Sequence, residues 1–191
     1  MTDSLTQRMN EVLPKITSTE FLSSKGLGNE IAFYIFDYPP EEELRIRKFL
    51  TFLLEHIPKH RLGLKVKHIN LFNLIIDYLK QRNLLEKSFQ KQKENGDEAL
   101  AKALKGPLKT ETLVQIFSDV CKPKEQELVL VSGVGSVWPL VRSHTLLNNL
   151  QTVMGQTPLV MFYPGRYDGQ SLRLFGKIKS DNYYRAFKLV P

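Results

Sequence analysis

Three stretches constrain the fold more than anything else in the sequence: Ile31 to Tyr38 (IAFYIFDY), Glu127 to Ser132 (ELVLVS) and Pro158 to Tyr163 (PLVMFY). Each is an almost unbroken apolar run of strand length that ends at proline or glycine. A strand with one solvated face alternates apolar and polar residues, whereas one covered on both faces does not. These runs therefore predict buried strands of a mostly parallel sheet with helices on either side. Between them lie segments of helical spacing, and the last third reads as a β-α-β unit: strand Glu127–Ser132, turn Gly133–Trp138, helix Pro139–Met154, strand Pro158–Tyr163 and turn Pro164–Gly169. The expected class is α/β, a Rossmann-like three-layer arrangement. Ser171–Ile178 and Tyr183–Val190 are expected as antiparallel edge strands.

The other elements follow from periodicity and punctuation. Leu5, Met9, Val12, Leu13 and Ile16 predict a first helix, and Thr17 with Glu20 forms a capping-box pattern for a second. After Pro39 and Pro40, the acidic run Glu41–Glu43 suits the positive end of a helix carrying Leu44, Phe49, Phe52, Leu53 and Ile57, which Pro58 should end. Leu64–Leu71 reads as a strand, and Leu74, Ile75, Tyr78 and Leu79 as a helix running on as far as Phe89. A polar, lysine-rich helical excursion is expected at about residues 86–109, and Thr110 should cap a helix through Cys121. With 191 residues, a single domain over the whole chain is expected.

Composition narrows the classes of function. The chain has 42% hydrophobic and 25% charged residues, as a folded domain does, and a single cysteine that cannot form an internal disulfide. No apolar run approaches the ~20 residues of a membrane span, and MTDSLTQRMNEVL lacks the layout of a secretory signal, so a cytoplasmic protein is expected. The net charge of +7 favours polyanionic partners. From Arg166 to the C-terminus, Arg173, Lys177, Lys179, Arg185 and Lys188 interleave with Phe175, Tyr183, Tyr184 and Phe187, a pattern that suits either a nucleic-acid surface or a hairpin with one buried face.

Ligands of an open parallel sheet bind outside the carboxyl ends of its strands. The loops there bring Asp37, Tyr38, Gly133, Gly135, Ser136, Trp138, Tyr163, Arg166, Tyr167 and Asp168 towards one rim, a candidate partner-binding site. The chemistry of that rim is incomplete. GVGS lacks the lysine and spacing of a phosphate loop, Asp37 lacks the partner loop that would make it a magnesium ligand, and Ser136 is not in a nucleophile elbow. His56 and His60 have the spacing of a helical metal pair but straddle Pro58 without a supporting carboxylate. No catalytic residue, cofactor site or metal site is expected.

The segments GLGNEIAFYIFDYPPEEEL, LVQIFSDVC, VSGVGSVWPLVRSHTLLNNLQ, PLVMFYPGRYDGQSLRLFG and DNYYRAFKLVP resemble the blocks of the BrxB family of BREX (bacteriophage exclusion) systems. They recur in order along nearly the whole chain. The resemblance implies a phage-resistance setting that includes a large ATPase, a methyltransferase and an alkaline-phosphatase-like protein, and it carries over no catalytic residues. It implies an adaptor or assembly subunit touching the phosphatase-like protein or the ATPase. A DNA-binding subunit using the basic aromatic C-terminal segment is the alternative, and a nucleotide-binding regulator the third reading.

Overall fold

Alternation along each apolar run divides its side chains between two cores, and the computed structural model, described here for residues 4–23, 32–179 and 186–191, contains both. Along the chain the elements are α1 (Ser4–Ile16), α2 (Thr19–Leu22), β1 (Phe33–Tyr38), α3 (Glu43–His60), β2 (Val66–Asn70), α4 (Leu71–Gln81), α5 (Leu85–Leu104) and α6 (Thr110–Cys121). After these come β3 (Leu128–Ser132), α7 (Ser143–Met154), β4 (Leu159–Tyr167), β5 (Leu172–Leu174), β6 (Ile178–Lys179) and β7 (Phe187–Lys188).

The strand order is β2-β3-β4-β1-β7, and every neighbouring pair in it is parallel. On one face Ile35, Ile69, Val131 and Met161 pack with Leu74, Phe117 and Leu147 of α4, α6 and α7. On the other Phe36, Leu130, Val160 and Phe162 pack with Val12 and Ile16 of α1 and Leu53 and Ile57 of α3. This two-sided burial is why the runs show no polar alternation. The order departs from the dinucleotide-binding one, in which the first strand stands beside the second; here β1 lies between β4 and β7, with β2 at the far edge.

Several boundaries differ from expectation for local reasons. Ser18, not Thr17, caps α2: its hydroxyl accepts the Phe21 N–H, while the Thr17 hydroxyl donates back to the Leu13 carbonyl. Pro58 does not end α3, which continues to His60. Asn70 caps α4 by accepting the N–H groups of Phe72 and Asn73, and α4 stops at Gln81 before a turn in which Asn83 has φ +53°. The excursion is helical as α5 but broken at Gly96, where φ is +80°. Thr110 is the first residue of α6 rather than its cap, and α7 begins at Ser143, not Pro139, after a cis Trp138–Pro139 bond.

The largest correction concerns the C-terminal strands. The segment expected to turn at Pro164 continues β4 to Tyr167, beyond the parallel sheet. There Gly165, Arg166 and Tyr167 pair antiparallel with Leu174, Arg173 and Leu172, and β6 pairs antiparallel with β5. Residues 171–178 are thus a small ribbon on the overhang of β4, folded back at Phe175 and Gly176, which have φ +54° and +71°. No antiparallel strand lies at an edge of the parallel sheet among the described residues. The last strand, β7, pairs parallel with β1, and Tyr183, Tyr184 and Arg185 lie outside the described residues.

Candidate functional site

β1 and β4 run side by side, so their carboxyl ends bring Asp37 opposite Tyr163 and Tyr38 opposite Pro164. Asp37 is 7% exposed, and both oxygens of its carboxylate accept hydrogen bonds within the chain. Oδ1 accepts Arg8 Nη2 at 2.7 Å, and Oδ2 accepts the Tyr167 N–H at 3.0 Å. Arg8 also donates to the Asp37 carbonyl at 2.9 Å and lies 5.0 Å over the Phe36 ring. Arg8 was absent from the sequence-derived rim. Its signal was there, because a cation three residues after Leu5 and four before Val12 sits on the apolar stripe of α1 and must find a partner.

The tyrosines of the rim are also internal. Tyr38 is 2% exposed and donates to Glu43 Oε2 at 2.5 Å; burial, and then Glu43 itself, raise its phenol pKa above the ordinary value. Tyr163 is buried. Tyr167 is buried too, and its hydroxyl donates to the Ala186 carbonyl at 2.6 Å, tying the ribbon base to the start of β7.

The glycine turn after β3 is packed. Gly133 has φ +76°, and a Cβ there would come within 2.6 Å of Asn70 Oδ1. At Gly135 a Cβ would lie 2.9 Å from the Phe175 ring and 3.0 Å from Pro164. These glycines let the turn sit against α4's cap and the ribbon, and the space beside them is filled by the chain itself.

What reaches solvent is Ser136, Trp138, Arg166 and Asp168. Trp138 is 43% exposed and meets Phe175 edge-on at 6.3 Å between centroids; Leu140, at 38%, is exposed in the same loop. The Asp168 carboxylate accepts the N–H and hydroxyl of Ser171 and the N–H of Gln170, which hold its pKa down to about 2. It braces its own turn. A crevice of about 340 Å³ remains at this rim, lined by Arg8, Asp37, Pro39, Gly165 and Arg166 among others. A larger one of about 440 Å³ lies along β2 between α4 and α6 and contains none of the rim residues.

The basic residues do not form one surface. Arg173 and Lys177 stand exposed on the ribbon, joined there by Arg166 and, by register, Lys179. Lys188 is on β7, at the sheet edge beside β1, and Arg185 lies outside the described residues.

Among other reactive groups, His68 and Ser132 share a 2.8 Å hydrogen bond that ties β2 to β3, and burial lowers the imidazole pKa. Cys121 is buried, and desolvation pushes its thiol to about 11, only partly offset by Lys67. It should stay unreactive towards a disulfide reagent at pH 8 in the native protein and react at once in denaturant; fast native labelling would contradict the packing of α6. Among the described residues no group of three or more His, Cys, Asp or Glu could hold a metal ion, and no helix is long and apolar enough to cross a membrane.

Comparison with known proteins bears on this arrangement. The family model described as BREX protein BrxB matches residues 67–189. A BREX protein BrxB of Bacillus cereus (strain H3081.97) is 41% identical over 190 residues, covering 97% of each chain. The chain belongs to the BrxB family. A second BrxB, from Escherichia coli O9:H4 (strain HS), is 43% identical over 187 residues, covering 98% of this chain and 92% of its own. No solved structure matches. BrxB is a protein of the BREX phage-defence system, and the match reaches from β2 to β7, taking in the glycine turn, the overhang of β4 and the ribbon.

Proposed function

We propose that this BrxB protein is a non-catalytic adaptor or assembly subunit of a BREX phage-defence complex that binds other BREX components, with the phosphatase-like protein and the large ATPase as first candidates. One observation carries the reading. Asp37, Tyr38 and Tyr167 of the rim are engaged inside the chain, whereas Trp138, with Leu140 in the same loop, is presented to solvent on a loop packed from beneath. Tryptophan is enriched among the residues that anchor interfaces. A nucleotide-binding regulator has less support, since the turn lacks a phosphate-gripping lysine and the Cβ sides of Gly133 and Gly135 are taken up by Asn70, Phe175 and Pro164.

The test is co-purification of the tagged chain with each other BREX component expressed singly. One component should be retained, and Trp138→Ala should weaken the complex about 30-fold, the loss of an anchor of about 2 kcal/mol, with the melting temperature checked in parallel. Retention by no component would remove the adaptor reading. A second reading, a subunit that contacts DNA, is favoured by the cations gathered on the β4–β5–β6 ribbon.

A further inference from the structure

In the antiparallel ribbon Arg166 stands directly opposite Arg173, and both are exposed. Directly opposed residues share a face of the sheet, so two arginines lie side by side on adjacent strands. Neighbouring strands are ~4.8 Å apart. Lys177 adds a further exposed cation in the turn between β5 and β6.

Like charges set opposite one another across strands destabilise a sheet, and here the relief is only partial. Among the described residues no ion pair involves Arg166, Arg173 or Lys177. The Asp168 carboxylate, held by Ser171 and Gln170, attracts Arg173 without pairing with it. The ribbon is nevertheless firmly seated. Leu172 and Leu174 on its other face are buried, Gly165 lies against the Arg173 backbone, and Phe175 packs on Trp138. A rigid support thus holds Arg166, Arg173 and Lys177 towards solvent, with only Arg173 partly offset by Asp168.

We infer that this ribbon is a sequence-independent contact for the phosphate backbone of DNA, with Arg166, Arg173 and Lys177 as its phosphate-binding side chains. The inference rests on the DNA-contact reading and gives it a location that excludes Lys188 on β7. Arginine favours phosphate through paired N–H donors.

The experiment is fluorescence anisotropy of the full chain with two labelled 30-base-pair duplexes of unrelated sequence, titrated at 50 and 200 mM salt. Three phosphate contacts predict equal affinity for both duplexes and a fall of about 40-fold between those salts. Arg173→Glu and Lys177→Glu should each weaken binding and flatten the salt dependence by about one contact, while Lys188→Glu should change neither. Arg173→Glu carries a second signature. It places an anion opposite Arg166 but near Asp168, so the two charge effects offset and its melting temperature should change little as binding is lost. A residue kept only for structure would lower the melting temperature instead. Lys177, in the turn, has no cross-strand partner in the register and tests the idea even if Arg173→Glu folds poorly. Binding that survives both substitutions overturns the ribbon assignment and leaves the DNA reading standing, whereas no binding to either duplex overturns both. Displacement by polyglutamate as effective as by duplex at equal charge would assign the ribbon to an acidic protein face instead.

Discussion

Asp37→Ala is expected to destabilise the fold by about 3 kcal/mol in urea denaturation, the loss seen when one member of a largely buried ion pair is removed. The Asp37 and Arg8 side chains are 11% and 21% exposed, so water screens the pair only in part. Removing the carboxylate would leave the Arg8 guanidinium without its anion and the Tyr167 N–H without its acceptor. Arg8 would keep its contacts to the Asp37 and Val190 carbonyls, which is why the estimate sits at the lower end. Substituting both partners, Arg8→Met with Asp37→Leu, should cost less than Asp37→Ala alone, because no charge is then stranded. A loss below about 1 kcal/mol for Asp37→Ala would mean that the pair behaves as a surface one. The outcome also bears on the role of Asp37, since a loss of this size marks a residue that holds the frame together.

Gly165→Ala should be at least as damaging, for a steric reason. A Cβ at Gly165 would lie 2.1 Å from the Arg173 backbone oxygen and 3.0 Å from the Tyr163 ring. The first contact is with backbone held in register, so the methyl group fits only if β5 separates from the β4 overhang and uncovers Leu172 and Leu174. A cost of about 3 kcal/mol or more is expected, a drop of roughly 6 to 12 °C in melting temperature for a chain of this size. Gly135→Ala provides the comparison. There the nearest atoms belong to the Phe175 ring, at 2.9 Å, and a ring can tilt where a carbonyl in a ladder cannot. Its effect should be the smaller of the two, and equal effects would show that the ribbon is less rigid than its register implies.

Legibility of the fold followed the range of the interactions. The buried strands β1, β3 and β4 were readable because a strand covered on both faces has to be apolar throughout. Helices α4 and α6 were readable because the spacing of Leu74, Ile75 and Leu79, and of Leu113 and Phe117, reflects their own geometry. The largest error came where a distant partner overrode a local signal. Pro164 and Gly165 are turn formers, yet they lie in β4 because β5 pairs with them: the Pro164 carbonyl accepts the Phe175 N–H, and the missing side chain of Gly165 admits the Arg173 carbonyl. Similarly, Tyr167 and Asp37 are 130 residues apart in sequence and form one hydrogen bond.

The candidate site was legible in the same uneven way. Sequence alone determined which residues stand near the carboxyl rim, that the chain is basic, and, through long ordered blocks, which family it resembles. Only the tertiary structure decided which of those residues face solvent. It turned Asp37, Tyr38, Tyr163 and Tyr167 inward and left Trp138 and Arg166 outside. It also split a continuous basic segment into a group on the ribbon and a separate lysine on β7. The physical reason is that composition and periodicity report each residue's preference for water, whereas exposure and charge spacing depend on strand register, which is set between segments far apart in the chain.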